Sequence, residues 1–338
     1  YREHWVAQQY LPDALQGRVF YQPNDQGYER DIRAATLRRR EAQVAAMVES
    51  EAGAPSEVLT FSPADQGRER WLQRTVSGAS RQLEALRERV FAGAPLQRHH
   101  IVLDINAGTG LLTWEALRRT PEGSVWAQTA DAQAAQALRQ QAAGLPELER
   151  PTILHGSLAD MPALLAAHGP AGLRFDAIVG RNALAAHADK AAILRRLAGL
   201  LAPAGVLSLA EALPRRAQRL YRLADLTLLD DDLARRIVAG EEAIYADPSD
   251  PLVNWDAGDL EAACRAAGLS ARLAVETETS ERPLTPAQLA RWFDLAAAGP
   301  RPGYAQRLLA GGFLDEEELE QYRALLAGAT RQPAAWTT

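Results

Sequence analysis

Cysteine and long apolar runs are almost absent from this 338-residue sequence. The single cysteine, Cys264, excludes an intramolecular disulfide framework and is typical of a reducing compartment. No stretch has the length and apolar character of a membrane span, and none has the layout of a secretory signal peptide. We therefore expect a cytoplasmic protein with no membrane contact.

An excess of positive charge is also absent. Lysine and arginine together number 37 against 43 aspartates and glutamates, the formal net charge is -6, and Lys190 is the only lysine. Binding along a nucleic-acid backbone needs concentrated basic residues, so the composition argues against a whole-surface nucleic-acid binder. The basic cluster at Arg38 to Arg40 is interpreted as a solvated helix face. The histidines lack the spacing of metal ligands, and no metal site is predicted.

The composition is otherwise that of an ordinary globular protein, with 47% hydrophobic and 24% charged residues. Strand and helix patterns alternate from 100 to 275, which favours a parallel sheet covered by helices on both faces. The predicted fold class is α/β, a doubly wound and mostly parallel sheet with helical N- and C-terminal extensions. A Gly/Pro/Ser stretch at 51–56 predicts a linker. The expected domain boundaries are 1–50, 56–275 and 276–338.

A glycine turn directly follows the first strong strand pattern. Residues 101 to 110 read Ile-Val-Leu-Asp-Ile-Asn-Ala-Gly-Thr-Gly, and a helical pattern begins at Leu111. Such a turn lets the backbone approach a ligand, and the helix start offers unpaired N–H groups. The dinucleotide fingerprint would need a third glycine where Thr113 stands, so the sequence argues against NAD.

The order of motifs resembles that of class I S-adenosylmethionine (SAM) methyltransferases. The turn matches Asp/Glu-x-Gly-x-Gly-x-Gly, with Asn106 at the first glycine. Residues 153–162, Ile-Leu-His-Gly-Ser-Leu-Ala-Asp-Met-Pro, are similar to the third-strand motif. Residues 174–184 are similar to the fourth strand, and Leu-Ala-Pro-Ala-Gly at 201–205 to the start of the fifth, with Ala204 replacing a glycine. The resemblance spans roughly 95 to 275.

This resemblance implies SAM as the cofactor, bound at the C-terminal edge of the sheet. The residues that it places at the ligand are Asp104, Asn106, Gly108, Thr109, Gly110, Thr129, Asp131, Ser157, Leu158 and Arg181.

Two carboxylates that the family uses for the ligand are replaced. Thr129 stands where an acid usually binds the ribose, and Ser157 where an aspartate usually meets the adenine. Asp131 lies two residues beyond Thr129 and substitutes only if the loop is rearranged. Each charged hydrogen bond is worth about 1.5 to 3 kcal/mol, so we expect weak SAM binding. Two functions follow: an active methyltransferase of unassigned acceptor, or a catalytically degenerate domain that serves as a docking or regulatory module.

The acceptor side carries no obligatory catalytic residue, because methyl transfer rests mainly on proximity and orientation. The tetrapeptide Asn/Asp-Pro-Pro-Tyr/Phe of amino-methylating enzymes is absent after the fourth strand. Arg181 and Asn182 stand there instead, either facing an acceptor or capping the next helix. His187 is a candidate base, and no catalytic residue is assigned.

The N-terminal segment carries a second resemblance. Residues 5–30, from Trp5-Val-Ala-Gln-Gln-Tyr-Leu-Pro-Asp to Gln-Gly-Tyr-Glu-Arg, closely resemble the C-terminal tail of the RarA/MgsA family of AAA+ recombination ATPases. That tail implies a helical oligomerisation domain, a homo-oligomeric full-length protein, an AAA+ ATPase portion of the same polypeptide as partner, and DNA contact through that portion. No Walker A sequence occurs here, so the ATPase core is outside this chain. We expect residues 1–50 to pack on the following domain rather than fold alone.

Overall fold

The computed structural model describes residues 29, 35–42, 45, 77–277, 279–296, 301–329 and 333–337. Most of the segment that resembles the RarA/MgsA tail and the predicted linker at 51–56 lie outside the described residues. The first complete helix, α1, is Ser77–Gly93.

A five-stranded parallel sheet forms the centre of the fold, in the order β3-β2-β1-β4-β5. This order is that of the first five strands of a doubly wound sheet, so the predicted fold class is confirmed. The alternating elements are β1 Ile101–Ile105, α2 Leu111–Arg119, β2 Ser124–Thr129, α3 Ala132–Ala142, β3 Thr152–His155, α4 Met161–His168, β4 Phe175–Arg181, α5 Lys190–Ala198 and β5 Leu201–Ala210.

The sheet is buried on both faces because its strands are apolar at successive positions. Val102 of β1 packs with α1 and α2 on one face, whereas Leu103 and Ile105 pack with α4 and α5 on the other. Helix α3 covers the first face at β2. Both faces of a parallel sheet need such cover, which explains the near-continuous apolar runs.

Gly205, the glycine of the Leu-Ala-Pro-Ala-Gly motif, is explained by the close approach of a neighbouring backbone. A Cβ on Gly205 would lie 2.7 Å from the carbonyl oxygen of Phe175 on the neighbouring strand. Ala204 is exposed, so the glycine that it replaces is not needed for packing. The β4–β5 register also shifts between Phe175 and Ala177.

Beyond β5 the chain forms short 3-10 turns and then a largely helical region. Helices over 283–327 were expected, and the structure confirms them. A two-stranded antiparallel sheet of β6 and β7 was not expected. The elements are α6 Asp231–Ala246, α7 Ala257–Ala266, β6 Thr279–Pro283, α8 Pro286–Trp292, α9 Tyr304–Ala310, α10 Glu316–Ala329 and β7 Pro333–Thr337.

This region has its own apolar core. Ile237 of α6, Trp292 of α8, Leu308 of α9 and Tyr322 of α10 are fully buried against one another. Helix α7 instead packs on the sheet, where Cys264 joins the core beside α5. Within the part of the chain that the structure describes, no helix is long and apolar enough to cross a lipid bilayer.

The described residues of the N-terminal segment contact helix α2. Arg38 donates to both carboxylate oxygens of Glu115, and Glu41 accepts two hydrogen bonds from Arg118 at 2.8 and 2.6 Å. Ala45 is buried against Leu111, the first residue of α2. These contacts agree with the expectation that this segment packs on the following domain.

Candidate functional site

The candidate site lies at the carboxyl edge of the sheet, between β1 and β4. Helix α2 follows β1 onto one face, and α5 follows β4 onto the other, so the strand order reverses at this point. Ligands of open α/β sheets bind in the crevice that such a reversal creates. The turns after β1, β2, β3 and β4 carry the residues predicted for the ligand.

The turn after β1 has three residues in the left-handed region. Their φ angles are +55° for Asn106, +53° for Gly108 and +85° for Gly110, with Thr109 partly exposed between the glycines. A Cβ on Gly110 would lie 2.4 Å from the indole nitrogen of Trp114, so no side chain fits there. At Gly108 a Cβ would meet only the Asn106 carbonyl, at 3.9 Å, and would otherwise point into open space. Gly108 is therefore where a ligand can approach the backbone.

Asn106 ties the turn after β1 to the turn after β4. Its side-chain amide donates to the carbonyl of Arg181 at 2.9 Å and to that of Asn182 at 3.1 Å. Its backbone N–H donates to the side chain of Gln128 at 3.0 Å, and Gln128 in turn donates to the carbonyl of Gly156 at 2.6 Å. Four strand ends are thus held together by two amide side chains. Of these, sequence reasoning missed Gln128, because it sits inside an apolar strand pattern.

Asp104 lies beneath this turn and is fully buried. The hydroxyl of Thr113 donates to one carboxylate oxygen at 2.6 Å, while the other oxygen, Oδ1, has no hydrogen-bond partner. Burial raises the pKa of this carboxyl to about 7, and the Thr113 hydrogen bond only partly offsets that rise. Thr113, whose presence argued against an NAD site, therefore donates a hydrogen bond to Asp104, the acid of the glycine-turn motif.

The end of β2 holds the two residues considered for a ribose. Thr129 is the last residue of the strand and is 2% exposed, and its hydroxyl accepts a hydrogen bond from the backbone of Asp131 at 3.2 Å. Asp131 caps α3, with one oxygen accepting from Gln133 at 2.7 Å and from Ala134 at 3.2 Å. Its second oxygen has no hydrogen-bond partner among the described residues. Asp131 is exposed at this edge of the sheet.

Ser157 and Leu158 follow β3. The Ser157 hydroxyl donates to a carboxylate oxygen of Asp160 at 2.6 Å and caps the short turn that begins at Leu158. Leu158 itself is buried in the core below the edge. Ser157, which stands where the family usually has an aspartate, is thus hydrogen-bonded to the carboxylate of Asp160.

The turn after β4 is fixed by groups from β5. Asn182, at φ +48°, accepts a hydrogen bond from the backbone of Ala212 at 2.9 Å, and the next helix is capped by Asp189 instead. Capping of that helix by Asn182, one of two roles considered for this residue, is therefore wrong. Arg181 lies partly exposed at the end of β4, beside the crevice.

Glu211, which sequence reasoning did not single out, locks the same turn. One of its oxygens accepts from the backbone of Ala183 at 2.8 Å and of Leu184 at 3.1 Å. Burial raises the pKa of this carboxyl to about 7, although the two backbone hydrogen bonds and Lys190 oppose the rise. The residue lies just past the end of β5, and nothing in a single sequence indicates that its side chain turns back to β4.

His187 and Lys190 close the acceptor side. The Lys190 ammonium donates to the carbonyl of His187 at 3.0 Å and to that of Pro251 at 3.3 Å, with its charge over the ring of Trp255. Burial and this neighbouring ammonium lower the pKa of His187. His187 is therefore held in its neutral form at pH 7, as a proton acceptor must be.

Comparison with known proteins agrees with this geometry. Residues 103–207 match the family model of a methyltransferase domain. With the strand order and the glycine turn, the match defines this part of the chain as a methyltransferase-like α/β domain. A comparison with curated proteins finds no matching sequence.

Several solved methyltransferase structures are similar in fold. A putative sarcosine dimethylglycine methyltransferase from Galdieria sulphuraria is 18% identical, with 78% of this chain and 85% of that chain covered and a TM-score of 0.40. A putative methyltransferase from Bacillus halodurans C-125 is 13% identical, with 75% and 94% covered and a TM-score of 0.43. The glycopeptide N-methyltransferase MtfA is 22% identical, with 38% of this chain covered and a TM-score of 0.29, and the chain spans 52% of its length.

Proposed function

We propose that the chain is a SAM-dependent methyltransferase that binds its cofactor between β1 and β4. The observation that carries the proposal is the open glycine turn, where Gly108 leaves its backbone uncovered at the point of strand reversal. The match of residues 103–207 to a methyltransferase domain supports it.

The residues at this edge fit a cationic adenosine ligand. The unpartnered Oδ1 of Asp104 lies under the turn, and the free oxygen of Asp131 lies at the end of β2. Both are acceptors, and an ammonium and ribose hydroxyls are donors. The turn at Gly108 would take the amino-acid end of the ligand, Asp131 the ribose, and the segment of Ser157 and Asp160 the adenine.

When bound, SAM supplies an electrophilic methyl group on a sulfonium, and the carbon–sulfur bond breaks with its electrons passing to sulfur as the acceptor's lone pair binds the carbon. This chain's own contribution is alignment. Asn106 and Glu211 fix the turn after β4 at the acceptor side. His187, whose pKa is lowered by burial and by Lys190, would be the group that takes the proton from an N–H or O–H acceptor.

The decisive experiment is a calorimetric titration of the protein with S-adenosylhomocysteine, using two matched glycine variants. Gly108→Ala and Gly172→Ala both place a side chain at positive φ, +53° and +77°, with room for the Cβ. Each loses about 1 kcal/mol of stability from backbone strain. Only Gly108→Ala obstructs the ligand, and we expect it to weaken binding about tenfold or more, equivalent to about 1.4 kcal/mol.

Gly172 lies before β4, at the other end of the strand, so Gly172→Ala should bind as the unchanged protein does. No binding by the unchanged protein, or equal binding by both variants, contradicts the proposal.

The end of β2 gives a second prediction. Thr129→Asp restores a carboxylate at the strand end, where it adds a charged acceptor for the ribose hydroxyls. We expect binding of S-adenosylhomocysteine to tighten about tenfold, or about 1.4 kcal/mol. Calorimetry measures the change. Asp131→Asn is the companion variant, because loss of affinity there together with no gain in Thr129→Asp would show that Asp131 alone serves the ribose.

We further propose that this methyltransferase-like domain is part of a larger fusion protein that also contains a RarA/MgsA-type AAA+ ATPase. This proposal rests on the resemblance of residues 5–30 to the tail of that family, and the contacts of Arg38, Glu41 and Ala45 with α2 support a fixed attachment. Homo-oligomerisation and DNA contact belong to the same proposal. A reading frame that encodes a Walker A sequence upstream of Tyr1 is the expected finding, and an upstream region without one overturns it.

A further inference from the structure

A cavity of about 680 Å³ lies in the helical region, away from the glycine turn. Its volume is in the range of small-molecule pockets. It is formed by α6, the segment that follows α6, and α9 with the residues on either side of that helix. Its lining combines apolar groups with four charged side chains: Asp247, Asp250, Arg301 and Arg307.

The carboxylate of Asp250 is hydrogen-bonded by groups of the protein itself. It is buried, and its Oδ2 accepts hydrogen bonds from both Arg301 and Arg307. Its Oδ1 accepts from the backbone of Leu252 at 3.0 Å. The carboxylate therefore anchors both guanidinium groups and has little capacity left for a ligand.

Arg307 keeps donors for a ligand. Its Nε donates to the carbonyl of Pro302 at 3.2 Å and one Nη to Asp250 at 2.7 Å, whereas the other Nη has no hydrogen-bond partner among the described residues. Two guanidinium groups share one carboxylate oxygen. Burial, and to a smaller extent the neighbouring Arg307, lowers the pKa of Arg301 to about 10.

Asp247 supplies a separate negative charge on the same cavity. Its Oδ1 accepts from the backbone and the hydroxyl of Ser249 at 2.9 and 2.6 Å, and its other oxygen has no hydrogen-bond partner among the described residues. The four lining charges sum to zero, with a free donor on Arg307 and a free acceptor on Asp247. A simple anion attracted by Arg307 is repelled by Asp247, whereas a ligand with both charges satisfies both groups.

We propose that this cavity binds a small zwitterion, an α-amino acid with an apolar side chain, with its carboxylate on Arg307 and its ammonium on Asp247. The apolar side chain would pack against Ile244 and Phe313, which line the same cavity. A carboxylate on a guanidinium makes a charge-assisted hydrogen bond, the strongest contact that this lining offers. This binding site is independent of the proposed methyl transfer.

Three ligands with one skeleton test the proposal by calorimetry: L-phenylalanine, 3-phenylpropanoate, which lacks the ammonium, and phenethylamine, which lacks the carboxylate. L-Phenylalanine should bind at least about tenfold more tightly than either of the others. Binding of 3-phenylpropanoate as tight as that of L-phenylalanine, or no binding of L-phenylalanine, overturns the proposal.

Two variants assign the charges. Arg307→Gln should abolish binding of L-phenylalanine. Asp247 lies at the partly exposed rim, and its side chain is not part of the cluster around the Asp250 carboxylate. Asp247→Asn should weaken the binding of L-phenylalanine and strengthen the binding of 3-phenylpropanoate. An equal effect on the binding of both ligands contradicts the assignment. Arg235→Gln, on an exposed position of α6, is the matched control and should change neither. Gly108→Ala should also leave this binding intact, which separates this site from the proposed cofactor site.

Discussion

Replacement of Glu241 by alanine is expected to lower the free energy of unfolding by about 3 to 5 kcal/mol, because three buried donors lose their acceptor. Glu241 is fully buried in α6. Its carboxylate accepts from the backbone of Leu220 at 2.6 Å, from the backbone of Tyr221 at 3.2 Å and from the hydroxyl of Tyr304 at 2.9 Å.

Chemical denaturation at pH 7 measures this loss. Glu261→Ala is the control, because Glu261 is exposed and pairs only with Arg265 one helical turn away; the expected cost is about 0.3 to 0.5 kcal/mol. A loss below about 1 kcal/mol for Glu241→Ala would contradict the assigned role.

The same carboxyl makes stability depend on pH. Burial raises the pKa of Glu241 from 4.5 to about 7 in the folded protein. Between these values the unfolded chain has lost the proton that the folded chain retains, so this group lowers stability as the pH rises from about 4.5 to 7 and contributes no penalty below 4.5. Glu241→Gln should flatten that part of the stability profile.

Replacement of Glu115 by alanine is the second change with a large expected effect, about 3 kcal/mol, because it removes a fully buried carboxylate that the partly exposed Arg38, Arg118 and Arg119 share. Glu115 is fully buried and pairs with Arg118 and Arg119 at 2.9 and 2.8 Å and with Arg38 at 3.2 Å. Arg87, only 1% exposed, lies 4.0 Å away. Its neighbours lower the pKa of Glu115 despite burial, so the carboxylate is ionised at neutral pH.

This variant also reports on the N-terminal segment, since Arg38 belongs to it. We expect Glu115→Ala to speed proteolytic cleavage within residues 35–45, measured by limited proteolysis and mass spectrometry. Glu122→Ala is the control, because Glu122 is exposed and pairs with the exposed Arg98, a contact worth at most about 1 kcal/mol. Unchanged cleavage in Glu115→Ala would show that Ala45 and its apolar neighbours hold the segment without the charge network.

The sheet was predictable because its signals are local. The strand from Ile101 to Ile105, the turn that follows it and the helix from Leu111 are adjacent in sequence, and each needs only short-range geometry to form. The doubly wound class was predictable as well, because alternating strand and helix patterns admit few arrangements. The helices of 283–327 were also evident from composition and spacing.

The β6–β7 pair could not be predicted in the same way. Its partners, Thr279 and Thr337, are far apart in the chain, and neither segment has an alternating apolar pattern. Pairing of strands so distant depends on how the helices between them pack.

The sequence by itself determined the α/β class and the glycine turn at the end of the first strand, because backbone conformation follows from neighbouring residues. Only the tertiary structure decided which side chains meet there. Gln128 and Glu211 turn across strand ends to hold backbone groups of other loops, and Asp131 proves to be an exposed cap with one oxygen left for a ligand. The charges of Asp247 and Arg307 likewise share a cavity only after the helical region has folded, because contacts between distant residues depend on packing that a single sequence does not encode locally.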